Sequence, residues 1–99
     1  MEISVTQENG KHKIIIPETL DVLTSPNLKN IFDELIPTAN EIELDFLTTG
    51  LVTSAGLRVL IQAQKKIQAL GKTMTLINIT PEVMEVFNLT GLKKVFEII

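Results

Sequence analysis

The hydrophobic period of this chain changes once, sharply, near its middle. From Glu41 to Phe46, Ile42, Leu44 and Phe46 alternate with Glu41, Glu43 and Asp45, the two-residue period of a half-buried strand. From Leu57 to Leu70, the residues Leu57, Leu60, Ile61, Ile67 and Leu70 recur at helical spacing. Arg58, Gln62, Lys65, Lys66 and Gln68 lie mostly off that stripe. Between the two runs lies a polar turn, TTGLVTSAG, that ends in Ser54, Ala55 and Gly56. A strand that passes through a turn into a helix is the building unit of an α/β fold, and the turn is where such folds present functional groups. Ser54 also has a purely local reading, because a hydroxyl at a helix entrance can cap its free amides.

The flanking segments fit the same class. Asn9-Gly10 separates two β-rich runs and predicts a hairpin with strands at about 2–8 and 11–16. The unbroken Ile14-Ile15-Ile16 predicts an interior strand covered on both faces. His12, near the turn, is expected to be exposed and incidental. Pro17 stops that strand, and Glu18 to Asp21 read as a loop. Ser25-Pro26 then opens a helix, with Ser25 as cap, that carries Leu28, Ile31, Phe32, Leu35 and Ile36 until Pro37. Asp33 and Glu34 belong to its solvated face.

Gly71 ends the central helix, TMTLINI at 73–79 reads as another buried strand, and Thr80-Pro81 opens a short helix that stops at Gly91. Val95 to Ile99 form the last strand. The order β-β-α-β-α-β-α-β predicts a mixed α/β sheet: an opening antiparallel hairpin, then parallel strands joined by crossover helices.

Ninety-nine residues make one domain, 1–99, with a core large enough to need no staples. The chain has no cysteine, which excludes disulfides, thiolate metal sites and a cysteine nucleophile. Its net charge of −3 is mild and mixed in sign, without the basic, aromatic-laced patch of a nucleic-acid binder. No apolar run approaches a membrane span and no secretory segment opens the chain, so a soluble, cytoplasmic protein is expected. A single histidine gives Ser–His catalysis little support, and no enzyme activity, cofactor or metal is expected. Gly71-Lys72-Thr73 mimics the end of a phosphate-binding loop. However, Lys66 stands where the pattern needs glycine, and Gly71 follows a helix instead of opening one.

Three motifs in order carry a family resemblance. The run LDFLTTGLVTSAGLRVL places Asp45 at a strand end and Ser54 nine residues later, before Ala-Gly-Leu. It resembles the signature of STAS domains, the fold of bacterial anti-sigma factor antagonists. Leu89-Thr90-Gly91-Leu92 followed by Val95-Phe96 resembles the close of that family, and Thr19-Leu20-Asp21 resembles its Gly-x-Leu-Asp loop without the glycine. The resemblance implies a protein that binds an anti-sigma factor that is also a serine kinase, and that is switched off by phosphorylation at Ser54. It implies a partner-binding face made of Asp21, Asp45, Thr53, Ser54, Ala55 and Gly56. Thr53 stands where the family usually has Asp, and Ala55 where a second hydroxyl is frequent. Thr48, Thr49 and Thr53 are the alternative acceptors. The resemblance also admits a second role, a non-phosphorylated adaptor or scaffold in stressosome-like assemblies or lipid-transport ABC complexes. Finally, it implies a C-terminal helix that this sequence lacks, which would leave apolar surface around Phe96 to Ile99.

Overall fold

The computed structural model describes residues 3–99. Its main sheet has five strands: β1 Ser4–Glu8, β2 Lys11–Ile15, β4 Glu41–Asp45, β6 Thr73–Ile77 and β7 Glu97–Ile98, in the spatial order β1-β2-β4-β6-β7. β1 and β2 pair antiparallel, and every other pairing in this sheet is parallel. The hairpin turn falls on Asn9 and Gly10, with φ of 53° and 80°, the left-handed pair that a two-residue turn of this kind requires. The expected first strand begins at Ser4, and residue 2 lies outside the described residues.

The helices α1 Ser25–Leu35, α2 Ser54–Ala69 and α3 Pro81–Thr90 connect successive parallel strands. The strand order advances one way from β2 through β4 and β6 to β7. Right-handed crossovers therefore place all three helices on the same face. Burial follows that geometry. Ile14, Ile16, Ile42, Leu44, Phe46, Met74 and Leu76 are buried beneath the helices with Leu28, Phe32, Leu60, Ile67 and Phe87.

Among the described residues the opposite face carries no helix, which corrects one expectation. Ile14 to Ile16 do not form a strand covered twice: Ile14 and Ile16 are buried, while Ile15 is only half-buried. The segment at 73–79 is a buried strand as expected, with Met74, Thr75 and Leu76 all buried, but its ladder stops at Ile77. On the uncovered face Lys11 reaches Glu43 at 2.7 Å and Glu41 at 3.8 Å, and Lys13 reaches Asp45 at 3.4 Å. The acidic alternation of β4 is thus matched by lysines across the ladder. His12 is half-buried, not exposed, and its Nδ1 is buried without a hydrogen-bond partner.

The loops that read as featureless contain a second, small sheet. β3 Thr19–Leu20 and β5 Leu51–Val52 pair in parallel, Thr19 beside Leu51 and Leu20 beside Val52. At the far end of the chain, Thr80 caps α3 as its Thr-Pro start predicts, accepting from the Val83 amide at 3.4 Å. Gly91 closes that helix at φ 73°. A 3-10 turn, Leu92–Lys94, intervenes before the last strand, which is only two residues long. Phe96 is nevertheless buried, 5.3 Å from the Phe87 ring, and Phe87 meets Phe46 edge-on at 6.3 Å. This aromatic row anchors α3 and the chain end to β4. Ile99 is largely exposed.

Candidate functional site

Helix α2 begins at Ser54, three residues earlier than the hydrophobic stripe indicates, because Ser54, Ala55 and Gly56 form its first turn. Thr53, in extended conformation, occupies the cap position, and no side chain caps the helix. Ser54 is therefore not the cap. It is exposed, and its hydroxyl makes no hydrogen bond within the described residues. The same one-residue shift occurs at α1, where Thr24 holds the cap position and Ser25 is the first helical residue.

What holds Ser54 in place is a close approach of two loops. A β-carbon added at Gly56 would lie 2.8 Å from both Leu20 Cγ and the Leu20 carbonyl oxygen, closer than packed atoms tolerate. Glycine at this position lets the fully buried Leu20 press against the first turn of α2. The Leu20 carbonyl accepts from the Thr53 amide at 2.9 Å, and Thr53 Oγ1 lies 3.4 Å from the same oxygen. The Glu18 carbonyl accepts from the Gly50 and Leu51 amides. The small β3–β5 sheet thus clamps the loop after β2 to the turn before α2.

Asp21 lies in this cluster, half-buried, with one carboxylate oxygen bound to its own loop. Its Oδ1 accepts from the amides of Leu23 at 2.9 Å and Thr24 at 3.2 Å. The Thr24 hydroxyl donates to the Thr19 carbonyl and accepts from the Asp21 amide. This is an Asx turn with a threonine brace, and it sets the path into α1. Around the loop, Val22, Leu23 and Leu51 are exposed apolar residues.

Asp45 stands apart. Of the six residues grouped in the sequence, the fold brings Asp21, Thr53, Ser54, Ala55 and Gly56 together, whereas Asp45 is on the uncovered side of the sheet. It is almost fully buried there. Its Oδ1 accepts from the Leu47 amide at 2.9 Å and from Asn78 Nδ2 at 3.1 Å, and Lys13 sits 3.4 Å from Oδ2. Burial works to raise this carboxyl, but the Leu47 amide, Asn78 and Lys13 outweigh it and hold it below the ordinary carboxylate value. Asp45 joins the ends of β2, β4 and β6. Asn78, whose left-handed φ of 56° aims it into this junction, is a partner that sequence spacing does not reveal.

Thr49 is fully buried. Its hydroxyl is within reach of the Ile16 carbonyl at 3.2 Å and the Pro17 carbonyl at 2.9 Å, while its own carbonyl accepts from Thr80. It ties three loops together, and its hydroxyl is closed to a kinase. Beside Ser54 runs an open groove of about 390 Å³ lined by Ser54, Leu57, Arg58, Ile61, Lys65 and Leu92, together with Gln62. Among the described residues no group of acids and histidines is placed to hold a metal ion, and no helix is long and apolar enough to cross a membrane.

Two substitutions separate the loop clamp from the sheet junction. Gly56→Ala is expected to destabilise the fold by about 1–3 kcal/mol in urea denaturation, and to speed hydrogen exchange at the Thr53 amide more than at the β4 amides. Asp45→Asn is expected to cost about 1–3 kcal/mol near neutral pH. Because the folded-state carboxyl titrates below its unfolded value near 3.9, Asp45 contributes stability above that pH and loses it as pH falls through the folded value. The difference between wild type and Asp45→Asn should therefore shrink in urea titrations run progressively below about pH 4.

Residues 3–99 match the family model described as the MlaB, STAS domain. No curated protein matches the sequence significantly. Among solved structures, the Thermotoga maritima protein TM1081 superposes with a TM-score of 0.87 at 22% identity, covering 97% of this chain and 84% of that one. Unphosphorylated SpoIIAA, an anti-sigma factor antagonist, gives 0.84 at 17% identity, with 99% and 88% covered. RsbS from Moorella thermoacetica, a serine-to-glutamate variant, gives 0.83 at 20% identity, with 100% and 86% covered. At these identities the superpositions speak for the fold, and the family model for membership. The mixed sheet, the clamped loop before α2 and the match across residues 3–99 lead to one conclusion: this chain belongs to the STAS domain family.

Proposed function

We propose that this protein is an anti-sigma factor antagonist that acts in the cytoplasm, binds an anti-sigma factor with serine kinase activity, and is released when Ser54 is phosphorylated. One observation carries the reading. Ser54 is exposed at the first turn of α2 with its hydroxyl committed to nothing, while the neighbouring threonine at 49 is sealed inside. In the modification, Ser54 Oγ bonds to the γ-phosphorus of ATP as the bond to the β–γ bridging oxygen breaks. ADP leaves, and the hydroxyl proton passes to a base of the kinase.

The product gains roughly 1.5–2 negative charges at a helix N-terminus, where free amides and the helix dipole accommodate them. The fold is then retained and only the surface changes. In a docked interface the added charge must be desolvated or repelled. A penalty of about 1.4–2.8 kcal/mol lowers affinity roughly 10- to 100-fold, which suffices for a switch without rearrangement.

A second reading, an unphosphorylated adaptor or scaffold, draws on Thr53. In place of the usual acid, its amide and hydroxyl face the Leu20 carbonyl, so the position serves the loop clamp and leaves no charge beside the acceptor. Binding of the purified cognate anti-sigma kinase to Ser54→Ala and Ser54→Asp separates the two. The antagonist reading expects Ser54→Ala to bind like wild type and Ser54→Asp to bind at least tenfold more weakly. Equal binding by both variants would count against the switch.

A further inference from the structure

The cations of this chain are unevenly satisfied. Of its nine basic side chains, Lys11, Lys13, Lys29 and Lys66 form ion pairs, and Lys72 donates to the Ile36 carbonyl. Among the described residues the other four, Arg58, Lys65, Lys93 and Lys94, do neither. Arg58 and Lys65 line the groove beside Ser54, and Lys93 and Lys94 directly follow Leu92, which closes that groove. No acid lines the groove, and none lies in the first turn of α2. In a chain of net charge −3, two of these uncompensated cations thus lie along one groove, and Arg58 stands at its Ser54 end.

Arg58 is the member of this set that can reach it. It lies four residues beyond Ser54 on the same helix, so their β-carbons are about 5–6 Å apart. Helical side chains lean toward the N-terminus, which tilts the Arg58 stem over the turn that Ser54 occupies. A guanidinium offers a planar fork of donors that matches two phosphate oxygens.

We propose that Arg58 receives the phosphoryl group of Ser54 phosphate within the chain, so that modification folds the new charge down onto the Leu57–Arg58 edge of the groove. This rests on the Ser54 switch proposed above and adds its internal receiver. The phosphate, held by Arg58 and the free amides of the first turn, lies over the Ser54 end of a groove whose apolar lining is Leu57, Ile61 and Leu92. It also withdraws the groove's nearest cation from any partner carboxylate. Release then follows from a lost counter-charge as well as from repulsion. A single carboxylate at position 54 offers less charge and fewer oxygens, and reproduces this only in part.

The test uses the full chain with phosphoserine installed at position 54 by genetic encoding, so that it needs no kinase. The pH titration of the ³¹P resonance is compared for the otherwise wild-type chain, Arg58→Gln, Arg58→Lys and Lys65→Gln, each checked for folding by circular dichroism. Loss of Arg58 is expected to raise the second phosphate ionisation by about 0.3–0.6 unit. Arg58→Lys should restore part of that shift, and Lys65→Gln, some three turns away, should leave the titration unchanged. An Arg58→Gln titration that superimposes on the wild-type curve overturns the proposal. If Arg58 does shift the titration but no cognate kinase modifies Ser54, the contact stands and the switch reading fails.

Discussion

Everything at the candidate site depends on one steric allowance, the absence of a side chain at Gly56. It permits the Leu20 backbone to pack directly against the first turn of α2, and that contact lets Leu20 and Thr53 share a hydrogen bond. Two loops that would otherwise be long and independent become a two-stranded parallel sheet. The entropy of ordering them is offset by the burial of Leu20 and Val52. The result is an exposed serine on a rigid platform, the arrangement best suited to a modification read by surface complementarity instead of by movement.

The two aspartates that the sequence places near the site have different work. Asp21 shapes its own loop through an Asx turn that engages one of its carboxylate oxygens. Asp45 belongs to the scaffold, where it gathers the Leu47 amide, Asn78 and Lys13 at the ends of three strands. Both positions are polar and both end strands, so a pattern of residue types cannot distinguish a carboxylate that faces a partner from one consumed by the backbone. Charge on the uncovered sheet face is paired across strands, whereas charge beside Ser54 is left unpaired.

Much of the architecture is legible in residue order. The Asn9-Gly10 turn, the period of β4, the helical stripe of α2, and the glycines at 71 and 91 are local signals, and each corresponds to the observed backbone. What the sequence conceals is non-local. The pairing of Thr19–Leu20 with Leu51–Val52 involves two residues on each side, too short to leave a period. The buried Thr49 is indistinguishable by type from its exposed neighbour Thr48, because three separate loops create its burial. Ile14 to Ile16 mislead for a related reason: an apolar run gives no indication of which sheet face stays open. The start of α2 is displaced because Ser54, Ala55 and Gly56 carry no apolar period, although the helix needs them as its first turn. Leu70 falls on the stripe yet is about half exposed, because it is the cap residue just past the last helical residue, Ala69.

The central claim is that Ser54 is the hydroxyl through which this domain is switched. Its most direct measurement is the intact mass of the chain after incubation with ATP and its cognate serine kinase, run alongside Ser54→Ala. A gain of one phosphate that disappears in Ser54→Ala is the predicted result. An unchanged mass, with a kinase shown to be active on its own antagonist, would contradict the switch and favour the adaptor.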